Sequence, residues 1–466
     1  MAGSSASPAG QHAPKSPKPS QREKRLEKIN ANAPKYGRVS FVETVPFGKA
    51  LGIDRYALDN GLQILLLTDK SAPVIAYHTW FRVGSRHEKP GKTGLAHLFE
   101  HLMFNEVEGL PAGEFDRKME EAGAENNAST WLDFTQYQEA FPKGQLKTVL
   151  GLESKRMSKL VLREPQVTSE KEVVANERRY RVDDDVEGAV DELLWKTAFE
   201  KHPYHWPTIG WMADIEGFTT EDCKAFYETY YSPNNASIIA VGDLSEEGIL
   251  QQISQNYGDL PPATLPIEDI YPEPPQLEER RLEVEKPTPT EKVAVGYKGP
   301  ALGDADHSIV SVMLDVLFGG RASRVQQRLV RELEIASDVR GHVGPHRDPA
   351  LIEIFVSLRE GKKGEEALAI VEAELDKVCR EPVSQSEIDR ATARVELGLL
   401  SSLETAEGKA STIGFYETLL GEPGAAFERL KHMQRVSPGD ILRVARRYLV
   451  KTARTVIFVR ASGGEK

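Results

Sequence analysis

Thr93-Gly94-Leu95-Ala96-His97-Leu98-Phe99-Glu100-His101-Leu102-Met103-Phe104 is the stretch from which the rest of the chain can be read. After Gly94 neither Gly nor Pro interrupts it, and Leu95, Leu98, Leu102 and Met103 supply apolar packing, so it reads as a helix. His97 and His101 are four residues apart, and one helical turn places both imidazoles on the same face. Glu100 falls at the edge of that face. Two imidazoles converging one turn apart form half of a tetrahedral zinc site, and a carboxylate beside them can hold and deprotonate a metal-bound water. The competing reading is an amphipathic core helix with two incidental histidines. A third ligand decides between them.

The chain of 466 residues is 40% apolar and 28% charged. That composition is of the soluble globular kind, and the length suits roughly two to four domains. A formal net charge of −12 argues against nucleic acid or an anionic membrane as the main partner. Cys223 and Cys379 are the only cysteines, which excludes a disulfide-dense scaffold and a Cys-rich zinc site. No run approaches the ~18 apolar residues of a membrane span. No apolar leader precedes the globular pattern, so the compartment expected is the cytoplasm, with the periplasm as the alternative.

Residues 1–36 are rich in Ser, Pro, Ala and Lys and are expected to be a disordered basic tail. From about Arg38 strands are expected at 53–58, 62–67 and 74–83, the first two joined by the hairpin signal Asn60-Gly61. After the motif helix come a helix at 114–122 and strands at 125–131 and 135–141. Helices then follow at 145–160, 165–180 and 188–199. The loop His202-Pro203-Tyr204-His205-Trp206-Pro207 leads to a helix at 220–230, a strand at 236–241 and a helix at 246–257. Pro261, Pro262, Pro266, Pro272, Pro274 and Pro275 mark 259–284 as a linker. The second half repeats the order strand, helices, strands, helices, strand, a weak sign of duplication. Its elements are expected at 292–298, 309–318, 323–332, 336–343, 351–358, 365–378, 385–417, 425–433, 438–449 and 455–459. It has no second His-x-x-Glu-His. The boundaries expected are thus 37–258 for a metal-binding domain and 285–466 for a metal-free one.

The helix expected at 165–180 offers Glu164, Glu170, Glu172 and Glu177 as third ligand. Glu170 and Glu177 are two turns apart on one face, and periodicity alone does not choose among the glutamates. Here the chain resembles the inverzincin zinc peptidases of the pitrilysin and insulin-degrading-enzyme family. It is most similar to the branch holding bacterial peptidases and the mitochondrial processing peptidase. The resemblance rests on Gly94 through His101, Ala175-Asn176-Glu177, Gly84-Ser85-Arg86 and the run from Gly123 through Asn127-Ala128-Ser129-Thr130 to Thr135-Gln136-Tyr137. His202-Pro203-Tyr204 and Asn234-Asn235-Ala236 leading to Val241-Gly242-Asp243 belong to it too. It implies an α+β fold of two similar domains, each a mostly antiparallel sheet flanked by helices, together half of a clamshell. It implies one Zn2+ per chain held by His97, His101 and Glu177, with Glu100 as catalytic base and Glu170 as the auxiliary glutamate. It also implies that Asn127, Ala128 and Ser129 lie on an edge strand that takes an extended peptide or unfolded polypeptide as an added strand.

One departure stands out. Self-sufficient family members carry an Arg–Tyr pair in the second domain that contacts substrate and supports the transition state. Here Arg331 matches, but Ser337, or Asp338 in a shifted register, stands where the tyrosine is expected. The resemblance therefore implies a zinc subunit that pairs with a homologous metal-free sister supplying the pair. A self-sufficient homodimer and a non-catalytic assembly subunit are the alternatives. A two-His, one-carboxylate set also suits ferrous iron, but Glu100 favours hydrolysis. His202 with His205, and His342 with His346, are weaker metal candidates. Gly344 and Pro345 forbid the helix that would align the second pair.

Overall fold

The computed structural model describes residues 20–268 and 271–462. Its strands are β1 (Val39–Phe47), β2 (Leu51–Leu58), β3 (Gln63–Thr68), β4 (Val74–Phe81), β5 (Glu125–Thr130) and β6 (Thr135–Pro142). They continue with β7 (Ala236–Gly242), β8 (Arg280–Lys286), β9 (Lys292–Lys298), β10 (Ala336–Val343), β11 (Leu351–Leu358) and β12 (Arg454–Ala461). They form two sheets, β1-β2-β3-β7-β4-β6-β5 and β10-β11-β9-β12-β8. Apart from β3 with β7 and β8 with β12, which are parallel, neighbours run antiparallel. The fold is thus α+β, two mostly antiparallel sheets flanked by helices.

The topology makes the duplication visible. Remove the hairpin β1–β2, and each sheet orders its strands as first, last, second, fourth, third. The two halves also exchange a helix. Val186–Ala198, from the first half, packs on β9 and β12, while Ala406–Leu420, from the second, packs on β4 and β7. Val190 and Leu194 bury against Ala294, Ile457 and Val459. Ala410, Ile413 and Leu419 bury against Leu65, Trp80, Ile239 and Val241. Each exchanged helix ends on basic groups of the sheet that receives it. Lys298 Nζ donates to Ala198 O at 2.6 Å, and Arg55 Nη2 to Gly421 O at 3.0 Å, where carbonyls lack helical partners.

Most expected elements form within a residue or two, and the differences have physical causes. The basic tail is a correction: Gln21–Asn30 is a helix capped by Ser20. Its cations meet acids, Arg22 with Asp54 at 3.0 Å, Arg25 with Glu246 at 2.9 Å and Lys28 with Glu247 at 2.6 Å. Ile29 joins the first core. Residues 1–19 of that tail lie outside the described residues. β1 escaped notice because a bulge between Phe41 and Glu43 breaks its alternation. β8 reads as linker because Arg-Arg-Leu-Glu-Val-Glu-Lys carries little apolar surface, as an edge strand tolerates. The helix expected at 385–417 is two, Gln385–Ser402 and Ala406–Leu420. Thr405 restarts the chain by accepting from Gly408 N at 2.9 Å.

Candidate metal centre

The motif helix Leu95–Leu102 is held from both ends of its sequence pattern. Leu95, Ala96, Leu98, Phe99 and Leu102 are buried, and Phe99 packs among Phe226, Tyr227 and Tyr231. Gly94 opens the helix at φ +96°, where a Cβ would lie 2.5 Å from Ile209 O, so no side chain fits. The first amides of the helix are capped from outside it. Glu88 Oε2 accepts from Gly94 N at 2.8 Å and Oε1 from Ala96 N at 2.7 Å.

The helix Glu164–Arg178 packs alongside. Val167 and Val174 bury on its inner face, and its end is fixed by Arg178, whose two Nη groups meet Glu192 at 2.7 and 3.1 Å. This brings Glu170 and Glu177 to the histidines. Glu177 Oε2 lies 3.2 Å from His101 Nε2 and 3.6 Å from His97 Nε2. Glu170 Oε2 lies 3.6 Å from His101 Nδ1, while Asn105 Nδ2 donates to Glu170 Oε1 at 2.9 Å. One ligand atom from each of His97, His101 and Glu177 falls within 4.8 Å of the others, and among the described residues no other trio of His, Cys, Asp or Glu does so.

Burial holds the His97 imidazole down at about 4, so this ring is neutral and its contact with Glu177 is not an ion pair. His101, against the depression that burial imposes, is raised to about 9 by the hydrogen bonds it donates to Glu170 and Glu177. Burial pushes the Glu100 carboxyl up, opposed by hydrogen bonding from Thr130 and the charge of His101. A neutral buried imidazole, a second imidazole and a carboxylate are the donor set that suits a divalent zinc, so the residues present fit that ion.

β5 lies at the open edge of the seven-stranded sheet, next to the motif helix. Asn127, Ala128 and Ser129 pair on one side with Gln138, Tyr137 and Gln136 of β6. Just past β5, from Trp131, a cavity of about 1100 Å³ opens between the two halves, with Trp80, Phe134, Trp195 and Phe415 in its walls. None of the clustered glutamates or histidines lines it, so size alone is a poor guide to the chemistry here.

Arg331 is not brought to the cluster. It is exposed in a π-turn, Gln326–Glu332, that packs on β10 and the helix Gly364–Arg380. Ser337 lies in β10 and donates to Ser357 O at 3.1 Å. Of the other histidine pairs, His202 and His205 turn to separate partners, and His342 and His346 both line that cavity but join no third ligand residue among the described residues. His202 Nε2 meets Asp348 at 3.0 Å beside Arg86, and His205 Nδ1 meets Phe199 O at 2.6 Å. Two charged neighbours of the centre escaped the sequence reading, Glu88 and Arg181. The second carried a usable signal, since it is one helical turn after Glu177.

Residues 63–210 match the family described as Insulinase (Peptidase family M16), and 217–395 match the Peptidase M16 inactive domain. The chain is 31% identical over 408 residues to the zinc protease PqqE of Helicobacter pylori (strain ATCC 700392 / 26695), covering 86% of this chain and 91% of that protein. It is 23% identical to a probable mitochondrial-processing peptidase subunit beta of Arabidopsis thaliana, covering 84% and 75%. A crystal structure of a protease from Helicobacter pylori superposes with a TM-score of 0.82 at 30% identity, covering 90% of this chain and 99% of that one.

Proposed function

This chain belongs to the M16 (insulinase) peptidase family, and from that premise we propose that it is the zinc-bearing subunit of a metalloendopeptidase acting on extended or unfolded polypeptides. The observation that carries the reading is the convergence of His97, His101 and Glu177 beside Glu100, on a helix packed against the edge strand β5. Those three residues would hold one zinc ion, which supplies Lewis acidity that polarises a peptide carbonyl and makes a water acidic near neutral pH.

The chain's own groups do the rest. β5 offers its outer backbone edge through Asn127, Ala128 and Ser129, so an extended peptide adds as a strand with modest side-chain selectivity. Glu100, at the end of β5, takes the proton of the attacking water. Its raised affinity for protons suits that task, and it then protonates the leaving amine. Glu170 holds His101 from the far ring nitrogen and is itself held by Asn105, so it orients a ligand rather than meeting substrate.

Ser337 in place of a tyrosine supports dependence on a sister subunit, and one relative is itself named a subunit. Mixing the chain with a homologous metal-free sister is expected to raise peptide hydrolysis above that of the chain alone. Equal rates would favour the self-sufficient homodimer. Glu100→Gln is expected to keep stoichiometric zinc and lose about 10²–10⁴-fold in kcat. A variant as fast as wild type would remove Glu100 as base. Elemental analysis reads the metal directly, and iron in place of zinc would redirect the chemistry. A chain that binds no metal, and hydrolyses nothing even with its sister, would instead be an assembly subunit.

A further inference from the structure

Arg181 is a cation at the centre that the mechanism above leaves without a role. It lies in the π-turn Arg179–Asp183, which continues the helix Glu164–Arg178 directly past Glu177. Turns of this kind are uncommon and concentrate at functional sites. The turn brings Arg181 Nη1 to 3.0 Å from Glu177 Oε1, whereas the histidines converge on Oε2 of the same carboxylate. The Arg181 side chain is 68% exposed. Glu177 is its one ion-pair partner among the described residues, so most of its N–H donors are uncommitted. An exposed i,i+4 pair contributes only about 0.3–0.5 kcal/mol to a helix, too little to be the main consequence of this placement.

Charge supplies the second strand of the argument. Glu170 and Glu177 bring two negative charges, which a divalent cation would cancel, and Glu100 has taken the water proton by the time the oxyanion forms, so the oxyanion's own charge is left without a counter-charge at the centre. Among the described residues, Arg181 is the one Lys or Arg that forms an ion pair with any of these three glutamates. Its field reaches His97 as well.

We propose that Arg181 is a catalytic residue: its guanidinium donates to the scissile carbonyl oxygen and neutralises the charge that develops there. This rests on the peptidase reading above and adds to it the donor that Ser337 cannot provide. In the step concerned, the water oxygen bonds to the carbonyl carbon and the carbonyl π pair moves onto its oxygen, facing Arg181. The water proton goes to Glu100 and from there to the amine nitrogen as the C–N bond breaks.

The test compares wild type, Arg181→Gln and Arg181→Lys as full-length proteins. Three quantities are read: kcat and KM on an unstructured fluorogenic peptide, zinc affinity by chelator competition, and calorimetric binding of a phosphinic peptide, a tetrahedral anion. Arg181→Gln is expected to lose about 10²–10³-fold in kcat, the usual effect of deleting one oxyanion donor. Phosphinic-peptide affinity should fall in step, with KM and zinc affinity within about threefold of wild type and Arg181→Lys intermediate. Unchanged kcat and phosphinic affinity in Arg181→Gln would overturn the role. So would a loss of zinc affinity with kcat restored at saturating zinc, since Arg181 would then only steady Glu177. Failure of the peptidase reading looks different: every variant, wild type included, would be equally inert with or without a sister chain.

Discussion

At Glu88 one carboxylate meets two amides, Gly94 N at 2.8 Å and Ala96 N at 2.7 Å, in a position only 4% exposed. These are amides that a helix leaves without internal partners. Burial pushes the Glu88 carboxyl well above its usual range, and the two amide hydrogen bonds pull it only part of the way back. Because the motif helix is only two turns long, its first turn sets where His97 points. Glu88→Gln keeps the shape but turns an amide N–H2 toward backbone N–H groups, at a cost of about 1–3 kcal/mol. The expected outcome is a lower Tm and weaker zinc binding, measured by thermal unfolding and chelator competition. If both match wild type, packing alone holds the helix. The histidines were legible because i,i+4 spacing is a helix property written locally. Glu88 was not: a cap reaching across a turn from six residues upstream has no period. Periodicity alone narrowed the third ligand to a helix with several glutamates, and the packing of two helices brought Glu177 to the histidines.

β4 shows what a strand's alternation can and cannot say. Ile75, Tyr77 and Phe81 face the helices of the first half, while Ala76, His78 and Trp80 face the exchanged helix Ala406–Leu420. The apolar run at 74–83 predicted a strand, and the strand that forms is buried on both faces. Nothing in it announced that a helix from the far end of the chain covers the second face. His78 sits there fully buried, with neither ring nitrogen hydrogen-bonded among the described residues. Burial depresses its pKa to about 3, against 6.5 for the free side chain. The sign follows from proton counting. Between those values the unfolded chain binds a proton that the folded one refuses, so stability is lost as pH falls from about 6.5 toward 3. Replacing His78 with Leu removes an unsatisfied polar ring and its titration together. Urea unfolding at a series of pH values from 7 to 4 should show His78→Leu at least as stable as wild type at pH 7. Its loss of stability toward acid should be shallower by up to about 1.4 kcal/mol per pH unit. Parallel profiles would mean that His78 is protonated in the folded protein or titrates unperturbed.

Reciprocal exchange of the helices Val186–Ala198 and Ala406–Leu420 makes each sheet depend on the other half of the chain. The element order, and through it the hint of duplication, was legible because each half writes its own periodicities. The exchange was not, since an amphipathic helix specifies an apolar face and not the sheet that will cover it. The consequence is cooperativity. Without Ala406–Leu420 the first sheet would expose Leu65, Leu67, Trp80, Ile239 and Val241. Without Val186–Ala198 the second would expose Ala294, Ile457 and Val459. Charge ties the same joint, with Arg55 Nη2 at 2.6 Å and Arg82 Nη2 at 3.6 Å from Glu417, a carboxylate almost wholly buried on the exchanged helix. The seat of that helix is narrow at one point, Gly414, where a Cβ would lie 2.2 Å from Trp80 Nε1. Gly414→Ala must therefore displace either the indole or the helix. The overpacking cost, typically about 1–3 kcal/mol, exceeds what better helix propensity returns, about 1 kcal/mol. Calorimetry of the full chain is expected to show one transition for wild type, and one at lower temperature for Gly414→Ala, because neither half keeps its core alone. Two resolved transitions, only one of them shifted, would show that each half stands without its borrowed helix.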